Sequence, residues 1–144
     1  MNKKIAWILV FSWMTLIFYF SAQVAVDSNS MSTGITQVVL SIINNIFKDV
    51  VSLEILNHFI RKFAHFFIYF ILGILLKNAL NYEDLNELKS ISYPLMIGAI
   101  YAASDEFHQS FVLGRGPSIA DVTIDSMGVL TGIILLNFII QRKK

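Results

Sequence analysis

The chain is short, apolar and nearly neutral: its 144 residues are 56% hydrophobic and 15% charged, with a net charge of +1 and a mean hydropathy of +0.65. A soluble protein of this size has too little interior to bury so many apolar side chains, so the composition predicts a membrane protein. Basic residues cluster only at Arg142, Lys143 and Lys144, which excludes nucleic-acid binding, and the lack of cysteine excludes disulfides, thiolate nucleophiles and cysteine-based metal sites.

The first predicted element is a transmembrane helix over residues 5–24. Signal peptidase requires small residues at the first and third positions before its cut. A cut after Ala22 or Ala25 would place a large side chain at the third position. We therefore expect a retained helix rather than a cleaved leader.

An amphipathic helix is predicted over residues 35–51. Apolar side chains such as Ile35, Val38 and Ile42 recur there with helical spacing, and the opposite face is polar. The segment is too polar to cross a membrane. We expect it to lie in the outer interface or to pack on the bundle as a lid.

Three further apolar runs are long enough to cross about 30 Å of hydrocarbon at about 1.5 Å per residue. They cover residues 63–80, 91–111 and 119–140. The sequence therefore predicts an all-α fold, an integral membrane four-helix bundle with the amphipathic helix on its outer face. The whole chain, residues 1–144, forms one domain in this prediction.

The distribution of positive charge predicts that both termini are cytoplasmic. Four spans place both termini on one side, and cytoplasmic segments carry an excess of Lys and Arg. With the termini inside, four of the 11 basic residues lie outside and the other seven inside. The four outer residues are Lys48, Arg61, Lys62 and Arg115.

Ionisable residues within the predicted spans mark the candidate site. Each costs roughly 2.5–3.5 kcal/mol at a helix centre, so its presence there is a functional hypothesis. Counted along the helices, His65 lies about 6 Å, Asp105 about 9 Å and Asp125 about 10 Å below the outer face. Their similar depth on three helices indicates a polar chamber open to the outside.

Residues three or four apart share a helix face, and this spacing adds further polar side chains to the chamber. Glu106 lies about 100° around the helix from Asp105 and can face a neighbouring helix. The set comprises Arg61, His65 and Tyr69 in the second span, Tyr101, Asp105, Glu106, His108 and Gln109 in the third, and Ser118, Asp121 and Asp125 in the fourth.

Structural roles are the alternative for several of these positions. Ser118 and Asp121 nearly match a capping box, in which Asp121 would cap the helix. Gly128 and Gly132 are more simply a close-packing surface between helices than part of a site. A polar network that locks the bundle together is the alternative for His65, Asp105, His108 and Asp125.

Two segments resemble the VanZ family of bacterial membrane proteins. RKFAHFFIY, from Arg61, is similar to the family's R-K-x-x-H-x-x-x-Y signature, and DEFHQSFVLGRGPSIAD, from Asp105, to its D-E-x-H-Q-x-F-x-x-x-R-x-x-S-x-x-D signature. The resemblance runs from Ser21 to Gly132 and departs at Asp125, where family members often have Asn. It implies a multi-pass membrane protein of a family named for a gene associated with low-level teicoplanin resistance, and it implies no particular reaction.

The first functional hypothesis is an enzyme acting on a lipid head group or a lipid-linked cell-envelope substrate. Carboxylates and imidazoles supply general acid and base, while Arg61 and Arg115 hold a phosphate. The predicted catalytic residues are His65, Asp105, His108 and Asp125. The predicted substrate-binding residues are Arg61, Tyr69, Tyr101, Glu106, Gln109, Arg115, Ser118 and Asp121.

The second hypothesis is a protein that binds or shields a lipid or a lipoglycopeptide without chemistry. In both cases we expect no cofactor, because no tight metal-binding spacing occurs, with a divalent cation held by Asp105, Glu106, Asp125 and a histidine as the alternative. The expected partner is a membrane lipid or lipid-linked substrate, and Gly128 and Gly132 would permit a homodimer.

Overall fold

The computed structural model describes residues 2–23, 25–46, 52–83 and 85–142. Within them the chain forms five helices and no strand, so the predicted all-α class is confirmed there. The helices are α1 (Lys3–Ser21), α2 (Ala25–Ile46), α3 (Leu53–Leu80), α4 (Glu87–Gln109) and α5 (Ile119–Gln141).

Polar caps fix the first residue of four helices. The side chains of Asn2, Ser52, Asn86 and Ser118 each accept a hydrogen bond from a backbone N–H in the first turn of the helix that follows. Such caps satisfy amide groups that would otherwise lack partners.

Two helices extend beyond the segments predicted from the sequence. Helix α3 begins at Leu53, before the predicted span over residues 63–80, because charged residues interrupt the apolar run without interrupting the helix. Helix α2 begins at Ala25, so Gly34 lies inside it rather than before it. The predicted residues 47–51 of the amphipathic helix, and Val24 at the end of the first span, lie outside the described residues.

Helix α3 is the centre of the bundle and packs against the other four helices. The Lys3 ammonium lies 2.7 Å from the Glu83 carboxylate. Gln141 Nε2 donates to Glu87 Oε1 at 3.2 Å. These contacts place the starts of α1 and α4 and the ends of α3 and α5 at one end of the bundle, so these four helices alternate in direction.

Glycines bring α3 and α5 into backbone contact. A Cβ at Gly128 would overlap the carbonyl of Phe66, and one at Gly132 would overlap the carbonyl of Phe70. The predicted close-packing role of both glycines is thus confirmed. Helix α3 covers this face within one chain, and the homodimer stays a prediction.

Helix α1 is attached to the bundle by side-chain donors. The Trp13 indole N–H donates to the carbonyl of Ile68 at 3.0 Å, and the Tyr101 hydroxyl donates to the carbonyl of Met14 at 2.6 Å. Both hydrogen bonds satisfy polar groups of aromatic side chains that are partly buried among apolar neighbours.

A buried lysine donates to a backbone carbonyl of α4 that lacks its usual helical partner. Pro94 lies inside the helix and has no N–H for the carbonyl of Ser90, four residues earlier. Lys77 Nζ donates to that carbonyl at 3.1 Å and also to the Ser90 hydroxyl. Lys77 lies near the C-terminal end of α3 and is 2% exposed. Its buried ammonium is therefore stabilised by hydrogen bonds to α4.

Three helices, α1, α3 and α5, are long and apolar enough to cross a membrane. Large apolar side chains on them face outward, including Phe63 at 68% and Ile119 at 88% exposed. Helix α4 has 23 residues but is less apolar. A membrane protein is supported, whereas the fourth span and the cytoplasmic termini stay predictions.

Helix α2 meets α3 through a polar contact. Thr36 is buried, and its hydroxyl lies 2.7 Å from the carbonyl of Ser32 and 3.1 Å from Asn57 Oδ1 on α3. Ile35 and Val38 are 59% and 62% exposed. Part of the apolar stripe therefore faces away from the bundle, which favours the interfacial alternative for this helix.

We expect Gly132→Ala to lower the free energy of unfolding by about 1–3 kcal/mol, because the added methyl group meets backbone that cannot move aside. Gly34→Ala is the matched control, since no atom lies within 4 Å of its added Cβ. It should leave stability unchanged or raise it by up to about 1 kcal/mol. Thermal melting in detergent measures both, and equal melting temperatures would contradict the close α3–α5 contact.

We expect Lys77→Met to cost about 1–3 kcal/mol of stability, because it leaves the Ser90 carbonyl without a donor. In a Pro94→Ala background the restored N–H supplies that donor, so the same substitution should cost less. Denaturation of the two single variants and the double variant measures the coupling. Additive effects of the two substitutions would show that Lys77 does not replace the hydrogen bond that Pro94 cannot donate to the Ser90 carbonyl.

Candidate functional site

A cleft of about 230 Å³ opens between α1, α2, α3 and α4, at the end of the bundle opposite Lys3. Its walls are apolar and include Ile17, Ile35 and Ile68. Six of the residues predicted from the sequence line it, namely Arg61, His65, Tyr69, Asp105, Gln109 and Arg115.

Three helices converge on one polar cluster behind this cleft. His65 Nδ1 on α3 lies 3.5 Å from Asp125 Oδ1 on α5. One ligand atom each from His65, Glu106 and Asp125 lie within 4.8 Å of one another. The carboxylate that α4 contributes is Glu106 rather than Asp105, because the turn between adjacent helical residues directs Glu106 toward α5.

Asp105 faces the cleft itself. Its Oδ2 accepts a hydrogen bond from Gln109 Nε2 at 3.1 Å, one helical turn away. The side chain is 3% exposed, yet Oδ1 has no hydrogen-bond partner among the described residues.

Glu106 also anchors the connection between α4 and α5. Its Oε2 accepts from the backbone N–H of Ser118 at 2.9 Å, while the Ser118 hydroxyl accepts from the N–H of Asp121 at 3.2 Å. Only half of the predicted capping box is therefore formed, since Glu106 takes the place that the Asp121 carboxylate would have. That carboxylate instead pairs with Lys62, one of the four basic residues predicted to lie outside.

His108 and Tyr101 lie outside the cleft. The His108 ring stacks on Phe18 of α1 with centroids 4.4 Å apart, and Tyr101 donates to α1 as described above. His108 and Tyr101 point from α4 toward α1 and contact it. The structure therefore does not place them in one chamber with His65.

Three polar residues of the cleft were not predicted as site residues. Ser21 and Gln23 come from the end of α1 and Ser32 from α2. Ser21 and Gln23 lie at the start of the stretch that the family resemblance covers, and Ser32 precedes the predicted start of the amphipathic helix. A longer helical prediction for α2 would have been needed to find Ser32.

A glycine turn positions the loop arginine. Gly114 has a φ of 77°, in the left-handed region that glycine adopts without strain. Arg115 follows it, and its N–H donates to the carbonyl of Val112 at 3.0 Å. This turn carries Arg115 from the end of α4 to the wall of the cleft.

The two cleft arginines, Arg61 and Arg115, form no ion pair within the described residues. Burial, and then the nearby charge of Arg61, lower the pKa of Arg115, while the nearby carboxylates of Asp105 and Glu106 act on it in the opposite direction. The Arg115 Nε is also buried and lacks a hydrogen-bond partner in the described part of the chain.

Other buried polar atoms without partners concentrate around the same site. Leaving a buried donor or acceptor unpaired costs about 1–3 kcal/mol, so a network that only locked the bundle would be expected to satisfy its own members. Among the described residues the unpaired atoms include Tyr69 Oη, Asp105 Oδ1, Glu106 Oε1 and Asp125 Oδ2.

Comparison with known proteins identifies a family. A family model described as VanZ/LLP1 matches residues 6–140, which is nearly the whole chain. No curated protein and no solved structure matches the chain significantly.

Proposed function

The chain belongs to the VanZ/LLP1 family, as its motifs predicted, and we propose that it binds the phosphate-bearing head group of a lipid or lipid-linked envelope substrate in the cleft. The protein in this proposal crosses the cell membrane four times, with α4 as the fourth span and both termini cytoplasmic. The cleft then opens at the outer leaflet.

The observation that carries the proposal is a pair of arginines that form no ion pair within the described residues. Arg61 on α3 and Arg115 on the loop line one cleft, and each would repel the other in the absence of an anion. A phosphate accepts parallel hydrogen bonds from guanidinium groups and removes this repulsion. The unpaired Arg115 Nε adds a donor for the same anion.

The walls of the cleft favour an amphiphile over a free anion. Ile17, Ile35 and Ile60 line it together with the arginines, so an acyl or prenyl chain can lie against apolar surface while the head group meets the charges. The end of α1 and the exposed stripe of α2 border this side, where lipid would reach the cleft directly.

Acid–base chemistry on the bound head group is the second candidate. His65 lines the cleft and has Asp125 at 3.5 Å from its Nδ1, an arrangement in which the carboxylate orients an imidazole that exchanges protons with substrate. Without such chemistry the protein shields the lipid. Either activity at the outer face can underlie tolerance to teicoplanin, the drug associated with the family's name.

We expect a cysteine at Leu113 to react with an impermeant maleimide in intact cells and a cysteine at Asn86 to remain unlabelled. Leu113 is 82% exposed beside the cleft, and Asn86 precedes α4 at the opposite end. The natural chain has no cysteine, so each label reports one position. The reverse pattern would contradict cytoplasmic termini and an outward-facing cleft.

We expect Arg115→Gln to weaken binding of phosphatidylglycerol or undecaprenyl phosphate by about 10- to 100-fold, because a charge-assisted hydrogen bond contributes about 1.5–3 kcal/mol. Arg115→Lys should also weaken it, because lysine lacks the planar fork. Native mass spectrometry of the detergent-solubilised protein measures binding, and the two probes separate phospholipid from prenyl phosphate as the preferred source.

Arg142→Gln is the matched control, because Arg142 stacks over Phe138 at the far end of the bundle. Neutral diacylglycerol should bind weakly to every variant. Binding that is unchanged in Arg115→Gln would contradict the proposal. Chromatography of the lipid afterwards tests the chemistry: a head group changed by the natural protein and not by His65→Gln favours an enzyme, whereas an intact lipid favours shielding.

A further inference from the structure

We infer that His65, Glu106 and Asp125 form a binding site for one divalent transition-metal cation. Helices α3, α4 and α5 each supply one of these ligands. The site adjoins the lipid cleft, which His65 also lines, but it includes neither of the two arginines that would hold the head group.

The geometry fits one ion. The His65 nitrogen and one carboxylate oxygen each from Glu106 and Asp125 lie within 4.8 Å of one another, and His65 Nδ1 is 3.5 Å from Asp125 Oδ1. Atoms that bind one tetrahedral ion at about 2.1 Å lie about 3.4 Å apart, which the His65 and Asp125 contact already matches. Side-chain movements of up to about 1 Å would therefore bring all three into coordination.

The unpaired oxygens are the second observation. Asp125 is 0% exposed; its Oδ2 has no hydrogen-bond partner among the described residues, and its Oδ1 has only the contact with His65 at 3.5 Å. Glu106 is 3% exposed, with Oε1 unpaired and Oε2 held by the N–H of Ser118. That hydrogen bond orients the carboxylate and leaves one oxygen for a ligand, as outer contacts do at metal sites.

Charge also favours a cation here. Asp105, Glu106 and Asp125 are all buried within the same polar layer, and removing a carboxylate from water costs several kcal/mol unless it is paired. His65 is the ionisable partner of Asp125, and Lys62 is engaged by Asp121. A divalent ion would compensate two negative charges at the point where they meet.

The donor set selects the class of ion. Calcium and magnesium prefer oxygen ligands throughout, whereas one imidazole with two carboxylates suits zinc, manganese or iron. The side chain of His65 is 25% exposed and lines the cleft, so an ion and its exchangeable water can enter from that side. From the sequence we expected no cofactor, with a divalent cation as the alternative. We propose the cation.

The test measures metal content of the full chain in detergent, after removal of the affinity tag and stripping with a chelator. Titration with Zn²⁺, followed by gel filtration and elemental analysis, should give one ion per chain. His65→Gln, Glu106→Gln and Asp125→Asn should each weaken binding at least about tenfold. Asp121→Asn, on the same helix as Asp125 but paired with Lys62, should retain one ion per chain.

Cobalt in the natural protein gives a measurement that needs no variant. Co²⁺ should produce a visible absorption band typical of nitrogen and oxygen ligands, and Zn²⁺ should abolish it. A natural protein that takes up no stoichiometric ion overturns the inference, as does uptake that survives all three ligand substitutions. No lipid is present in this experiment, so its failure leaves the lipid proposal to the Arg115 variants.

Discussion

The bundle depends on how closely α3 approaches α5. Gly128 and Gly132 let the two backbones meet, and this contact sets the depth at which the polar side chains of both helices lie. His65 is one residue from Phe66, whose carbonyl faces Gly128, and Asp125 is less than one turn from Gly128. A wider spacing of the helices would pull the imidazole and the carboxylate apart, so the small residues of the core also define the site.

The fold was predictable where hydropathy carries the signal and less so elsewhere. The helical class and the apolar cores of α1, α3 and α5 follow from long apolar runs. The true start of α3 was missed, because His58 and Arg61 interrupt the apolar run but are compatible with helix. Helix α2 was found only in part, since its first turns have no apolar periodicity that would separate them from a loop.

The sequence predicted the depth of the site along the helices, but it did not predict all of the residues that form it. Depth along the helices correctly indicated that three of them bring polar residues together. Single-helix spacing could not tell which side of α4 meets α5, and that orientation brings Glu106 to His65 while His108 packs on α1. The cleft is consequently lined by two arginines and the Asp105 carboxylate, with the Glu106 and Asp125 carboxylates in the polar cluster beside it.

The attachment of α1 has a consequence for how the sequence can diverge. Trp13 and Tyr101 donate to the main-chain oxygens of Ile68 and Met14, and every amino acid offers such an oxygen. The two acceptor positions are therefore free to drift among apolar residues, whereas the two donors are not. Relatives that keep an indole and a phenol at these places can dock the first helix in the same register even when little else of it is retained.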